Sequence, residues 1–187
     1  FARSVLVAFD AEIERLGKPG RNLLQALVLF EALKQHGVGY RVDANSPYAR
    51  VVADQSTVDD IQYPAELLRN KVGDCDDLTS LYCALLENAG VATALVDYPA
   101  PICLLFDTGI KRQNAYQLPL EPSWYIERGD RLWIPLEITL LDKSFQRAWR
   151  AGLDELAELP DLERRRRTVN TDQAWEAFPP ATPKFEG

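Results

Sequence analysis

The sequence predicts one α+β domain, with helices at its N-terminal end and a cysteine-bearing helix packed on an antiparallel sheet. Three observations predict it. The word Gly73-Asp74-Cys75-Asp76-Asp77 runs into Leu78, Leu81, Tyr82, Leu85 and Leu86, the three-and-four spacing of a helix with one buried stripe. From residue 91 onward, short apolar segments alternate with turns rich in Gly, Pro and Asp, the pattern of strands and hairpins. With 47% apolar residues, a chain of 187 residues can bury one substantial core. Residues 1–178 are read as that single domain. Residues 179–187, with Pro179, Pro180 and Pro183, read as a tail or interdomain linker.

Charge and composition exclude several classes of partner. The net charge is −7, and phosphate backbones and anionic membranes demand concentrated Lys and Arg. The one basic run, Arg164 to Arg167, follows Asp154, Glu155, Glu158, Asp161 and Glu163 and reads as a locally neutralised helix face. No nucleic-acid partner is expected. No apolar run reaches the roughly 18 residues of a membrane span, and no signal peptide is visible. The chain starts at Phe1 and has no Met, so it is read as a piece of something longer. Cys75 and Cys83 lie about 12 Å apart along one helix, too far for a disulfide. Three cysteines and one histidine fit neither a disulfide framework nor a zinc pattern, and no metal or cofactor is expected.

Taken in order, residues 2–16 read as a helix with Val5, Phe9, Ile13 and Leu16 on one face, broken by Gly17-Lys18-Pro19-Gly20. A second helix, 22–36, carries Leu23, Ala26, Leu27, Phe30 and Leu33 and ends at Gly37. His36, in its last turn, reads as a surface C-terminal cap; a role as a base would require that helix end to reach Cys75. A short strand is expected at 38–42, then an extended, turn-rich stretch over 43–63. Pro64 reads as the first residue of a helix over 65–70, and 71–73 as a turn. Asp74 is the N-cap of the central helix, with Asp77 approximating a capping box, and Gly90 ends it. Strands follow at 91–97 and 102–107, then a polar loop over 111–123. A hairpin joins 124–127 to 131–137 around Arg128-Gly129-Asp130, which is read as turn chemistry and not as an adhesion motif. In its second arm Leu132, Ile134 and Leu136 face one side, and Trp133, Pro135 and Glu137 the other. A helix over 142–159, an extended 168–170 and a short helix over 172–178 complete the chain.

The chemistry centres on Cys75. A thiol in the first turn of a helix meets unpaired N–H groups and the positive end of the dipole, which favour thiolate. It also has an ordinary reading as a small buried residue, the reading given to Cys83 and Cys103. The aspartates around it read as caps and as partners of Lys71 or Arg69, with a cation site as the alternative. The backbone N–H of Cys75 is a natural oxyanion donor, and Gln62, a polar side chain shortly before the helix, is a second candidate.

Several words carry a resemblance to a known family. They are Tyr63-Pro64-Ala65-Glu66-Leu67-Leu68, Lys71-Val72-Gly73-Asp74-Cys75-Asp76-Asp77, Phe106-Asp107-Thr108-Gly109, Trp133-Ile134-Pro135-Leu136-Glu137-Ile138-Thr139 and Phe145-Gln146-Arg147-Ala148-Trp149. Over most of 23–152 the chain resembles the transglutaminase-like branch, bacterial type, of the papain-like cysteine proteins. That resemblance implies a papain-like fold and a Cys-His-Asp/Glu triad, with Cys75 at the nucleophile position and Glu137 at the third. The histidine of the family's Pro-Gly-His-like word would fall in Pro99-Ala100-Pro101, where Pro101 takes its place. Proline has no titratable group, so general acid–base help worth roughly 10²–10⁴-fold is forfeited, and the flanking aspartates oppose thiolate.

The expected function is a catalytically inactive domain of a larger protein that binds a peptide or protein segment in its cleft or serves assembly beside flanking domains. One alternative is an active cysteine peptidase, amidase or transglutaminase with a non-standard base, from His36 or a partner domain. The other is a structural domain whose cleft is closed by the 111–123 loop or the tail. Relatives of this kind favour the extracytoplasmic part of a bacterial protein.

Overall fold

The computed structural model describes residues 1–42, 61–96, 102–118, 120–160 and 168–178. Helix α1, Ala2–Val7, ends well before the expected residue 16, and α2, Asp10–His36, begins after Ala8 and Phe9. The expected single helix over 2–16 is therefore divided. Phe9 is 41% exposed while Ile13 is buried, so those two do not share one core-facing stripe. Gly17, at φ 63° and ψ −173°, is non-helical and kinks Asp10–His36 at the first residue of the expected break. Gly37 terminates α2 in the left-handed conformation at φ 85°, which only a residue without Cβ adopts cheaply.

Strand β1, Gly39–Tyr40, pairs in parallel with β2, Val72–Gly73, so the segment read as a turn before the central helix is a short strand. Between them α3, Pro64–Asn70, starts with proline in its first turn as expected, and Glu66 folds back to the Tyr63 backbone N–H. Helix α4, Cys75–Asn88, buries Leu78, Leu81, Tyr82, Leu85 and Leu86. The Tyr82 hydroxyl, fully buried, donates to the Ala26 carbonyl at 2.6 Å and ties α4 to α2.

A five-stranded antiparallel sheet follows in the order β5-β6-β4-β3-β7. Its strands are β3 (Thr93–Val96), β4 (Cys103–Lys111), β5 (Ile126–Arg128), β6 (Arg131–Leu136) and β7 (Thr168–Asn170). Strand β4 runs further than the sequence suggests, with an irregularity in its pairing to β6 between Asp107 and Lys111. The stretch read as a polar loop holds two 3₁₀ turns, Arg112–Gln117 and Pro122–Trp124. Helix α5, Phe145–Glu158, is capped by Ser144, and α6, Thr171–Ala177, follows β7 directly. The linker between β3 and β4 and the 179–187 tail lie outside the described residues.

The two faces of the sheet follow from the alternation of side chains along each strand. Leu104, Phe106, Ile134 and Leu136 join the main core with Leu29, Phe30 and Leu33 of α2 and Leu78, Leu81 and Tyr82 of α4. Ala94, Val96, Cys103, Leu105 and Trp133 face the other way and meet Leu156 of α5. Helix α5 bridges the two sides, because its first turns place Phe145, Ala148 and Trp149 in the main core. It lies very close to β6: a Cβ on Gly152 would stand 2.8 Å from the Leu136 nitrogen. Mixed helix and antiparallel sheet, with the cysteine helix on one face, is the architecture predicted at the level of class.

Candidate functional site

Each residue of the Gly73–Asp77 word has a local reason for its place. Gly73 sits where a Cβ would fall 2.7 Å from both Asp77 Cβ and Leu67 Cδ1, so only glycine fits without moving its neighbours. Asp74 caps α4: its Oδ1 accepts the backbone N–H groups of Asp76 and Asp77, each at 3.1 Å. Asp77 reciprocates by accepting the Asp74 N–H at 3.3 Å, completing the expected capping box. Asp77 is 5% exposed and also takes two bonds from Gln62, the backbone N–H at 2.7 Å and Nε2 at 2.5 Å.

Those bonds decide what Gln62 can do. Its Nε2 also donates to the Val72 carbonyl at 3.2 Å, and its Oε1 accepts from Asn70 at 2.9 Å. Both amide N–H groups are engaged in fastening the segment before α3 to the start of α4. None is left to donate to an oxyanion beside Cys75, as had been expected of it.

Cys75 opens α4 half-buried, and its thiol donates to Asp76 Oδ1 at 3.3 Å. Burial, then the Asp76 charge and that hydrogen bond, then the Asp74 charge, push the thiol from 9.0 up to about 12. The helix end acts in the opposite sense, but at 0.3–1 kcal/mol it is worth less than about tenfold in thiolate. The rise to about 12 removes about a thousandfold. Cys83 and Cys103 are buried, and burial raises both thiols as well.

His36 lies in the last turn of α2 as expected, but it is half-buried and not a surface cap: Gly37 caps the helix, and the ring turns to a neighbouring helix. Its Nε2–H donates to the Leu68 carbonyl at 3.0 Å, and its ring packs on Phe1 with centroids 5.4 Å apart. It links α2 to α3, and the hydrogen-bond partner of the Cys75 sulfur is a carboxylate, not an imidazole. Pro101, the position at which the resemblance sets the base, lies outside the described residues.

Glu137 follows the last residue of β6 and is 2% exposed. Its Oε1 accepts the Thr139 N–H at 2.8 Å, capping the turn Ile138–Leu140. It continues the odd-numbered face of β6, with Trp133, and its charge acts on Glu155 of α5, whose carboxyl is pushed up to about 8, first by burial and then by that charge. Tyr40 of β1, paired with Gly73, feels the charges of Cys75, Asp74 and Glu137; burial and then those charges raise its phenol. Tyr40 thus marks the end of the molecule toward which Cys75 and Glu137 both lie.

Sequence reasoning missed Glu155, although a signal was present. Phe145, Ala148, Trp149, Gly152 and Leu156 form the buried stripe of α5, and Glu155 occupies a stripe position. Among the described residues no cluster of three or more His, Cys, Asp or Glu side chains is arranged to hold a metal ion. Among them, too, no helix is long and apolar enough to cross a membrane. Compared with models of protein families, with curated proteins and with solved structures, the chain matches none.

Proposed function

We propose that this chain is a transglutaminase-like domain of the bacterial type that retains the nucleophile position without its chemistry. In this reading it is a peptide- or protein-binding or assembly module of a larger protein. The observation that supports this is the state of Cys75. Acyl transfer by cysteine needs a thiolate and a base that returns the proton to the leaving group. Here the thiol is raised to about 12 and hydrogen-bonded to a carboxylate that stabilises its protonated form. The chain's one histidine is bonded to the Leu68 carbonyl, and the resemblance sets proline at the base position. Glu137, the third position of the triad, accepts the Thr139 N–H.

An active enzyme with a base borrowed from elsewhere would need that base to outweigh two aspartates and partial burial. Iodoacetamide alkylation, mapped by peptide, separates the two readings. Slow labelling of Cys75 at pH 7 that climbs steeply above pH 9 is expected, and rapid labelling below pH 7 would overturn the proposal. The variant Pro101→His with Ala100→Gly is expected to gain thiol reactivity at pH 6–7. No gain would count against Pro101 as the base position.

A further inference from the structure

Leu27 belongs to the apolar stripe expected of α2, yet it is 37% exposed. It borders a groove of about 410 Å³ between the middle of α2, the start of α5 and the 3₁₀ turn Pro122–Trp124. That size falls within the roughly 300–1,000 Å³ of ligand pockets. Leu120, Trp124, Phe145 and Trp149 form its other apolar walls. These walls are braced from within the fold. The Trp149 Nε1–H donates to the Trp124 carbonyl at 2.8 Å, and the two rings stand 5.3 Å apart at 76°. Phe145 rests edge-on against the fully buried Phe30, with centroids 5.4 Å apart.

One charged residue lines this groove: Glu31, one turn beyond Leu27 on α2. Glu31 is half-buried, and among the described residues its carboxylate makes no ion pair or side-chain hydrogen bond. Lys34, three residues on, donates instead to the Lys143 carbonyl at 2.6 Å. Arg150 does not line the groove; its guanidinium lies over the Trp124 ring, 4.2 Å from the centroid, and shows that this ring attracts a cation. Ser144 and Gln146, the remaining polar lining, are neutral. A carboxylate left without a partner beside aromatic and aliphatic walls complements a cation carried on an apolar stem. The net charge of −7 acts in the same sense. We infer that the groove docks a partner polypeptide through one Lys or Arg side chain flanked by apolar residues, with the cation at Glu31 and the stem and its neighbours against Leu27, Trp124 and Trp149.

The groove is bordered by exposed residues, Leu27, Ser144 and Gln146, so a side chain can enter while its own chain continues outside. None of the lining residues belongs to β1, β2 or α4, the elements that carry Tyr40, Gly73 and Cys75. The site is thus separate from the cysteine position, and its occupation does not depend on the state of the thiol. The apolar contacts carry the affinity, and a half-exposed carboxylate adds a several-fold preference for a basic residue.

Panning a random heptapeptide library displayed on phage against the immobilised whole chain tests it. Peptides with Lys or Arg beside proline, leucine or an aromatic residue are expected to be enriched about threefold or more, and that basic preference should disappear on Glu31→Gln. Leu27→Arg, at an exposed position, sets a cation against the incoming one and should abolish recovery of the same peptides, with far-ultraviolet circular dichroism unchanged. Tyr40→Ser, beside Cys75, should leave recovery as it is. No basic preference on the wild type, or the same preference on Glu31→Gln, would overturn the inference. Loss of binding in Tyr40→Ser but not in Leu27→Arg would overturn it too, while leaving a peptide-binding cleft at Cys75 standing. A wild-type dimer in sedimentation that Leu27→Arg dissolves would assign the groove to a second copy of the chain and equally refute it.

Discussion

Replacing Asp76 with asparagine isolates the largest removable influence on the Cys75 thiol. Burial, the first cause of its elevation, stays in place, whereas the charge of Asp76 and the carboxylate that accepts the thiol proton are both removed. At pH 8 a thiol at about 12 is ionised to about one part in 10⁴, against about one in ten for a thiol at 9.0. Nucleophilicity partly offsets this, because a more basic thiolate attacks faster with a Brønsted coefficient of about 0.4–0.5. The net deficit of the wild-type thiol is therefore about 50-fold. By the same coefficient, each tenfold gain in ionisation raises the rate about 3.5-fold. Asp76→Asn is thus expected to speed iodoacetamide alkylation of Cys75 at pH 8 by about 3–10-fold, with the pH–rate curve shifted to lower pH. Cys83 and Cys103, at 5% and 1% exposure, serve as unreactive references in the same peptide map. An unchanged rate would refute the idea that Asp76 holds the thiol protonated. A wild-type rate equal to that of free cysteine would refute the elevation altogether.

Two substitutions test the packing that positions the site. Gly152→Ala would push a methyl to 2.8–3.1 Å from the Pro135 and Leu136 backbone. Overpacking of about 1–3 kcal/mol then competes with about 1 kcal/mol of improved helix propensity, and urea denaturation should show net destabilisation, not the gain expected of an open helical glycine. Tyr82→Phe removes the 2.6 Å bond to the Ala26 carbonyl and should cost about 1 kcal/mol with the fold retained, as read by far-ultraviolet circular dichroism.

What could be read from the sequence was local. The α4 stripe, the Asp74 cap with its Asp77 reciprocal bond, the Gly37 stop and the β5–β6 hairpin each depend on residues within a few positions of one another. What could not be read depends on residues far apart in the chain. The β1–β2 pair joins Gly39 to Val72, and a two-residue strand is too short to show an alternation. Gln62 reaches Asp77 across fifteen positions, and nothing in its local pattern distinguishes that bond from an oxyanion contact. The break at Ala8 and Phe9 lacks Gly or Pro, so the apolar spacing of Val5, Phe9 and Ile13 runs straight through it. The alternation puts Glu137 on the face of β6 opposite Leu136. That Glu155 feels the charge of the carboxyl there depends on where α5 crosses, which strand alternation does not fix.

The Gly73–Asp77 word can be divided by what each residue does for the fold. Gly73 is required by close packing, Asp74 by two backbone N–H groups, and Asp77 by Gln62 and the Asp74 N–H. A chain that lost its base would keep these three for structural reasons, so their presence speaks for the fold and says little about catalysis. Cys75, half-buried with its thiol on Asp76, carries no such duty. Asp77→Ala strips the Gln62 N–H and Nε2 and the Asp74 N–H of an ionised acceptor; at about 1.5–3 kcal/mol for a bond to a charged group, partly replaced by water, the loss should be about 3–4 kcal/mol. Cys75→Ala should cost less than about 1 kcal/mol, because a half-buried thiol surrenders little apolar area. Urea denaturation of the two variants side by side checks the division. Equal losses would mean that Cys75 is held by the fold as firmly as its neighbours, and the thiol would then need no catalytic history to explain it.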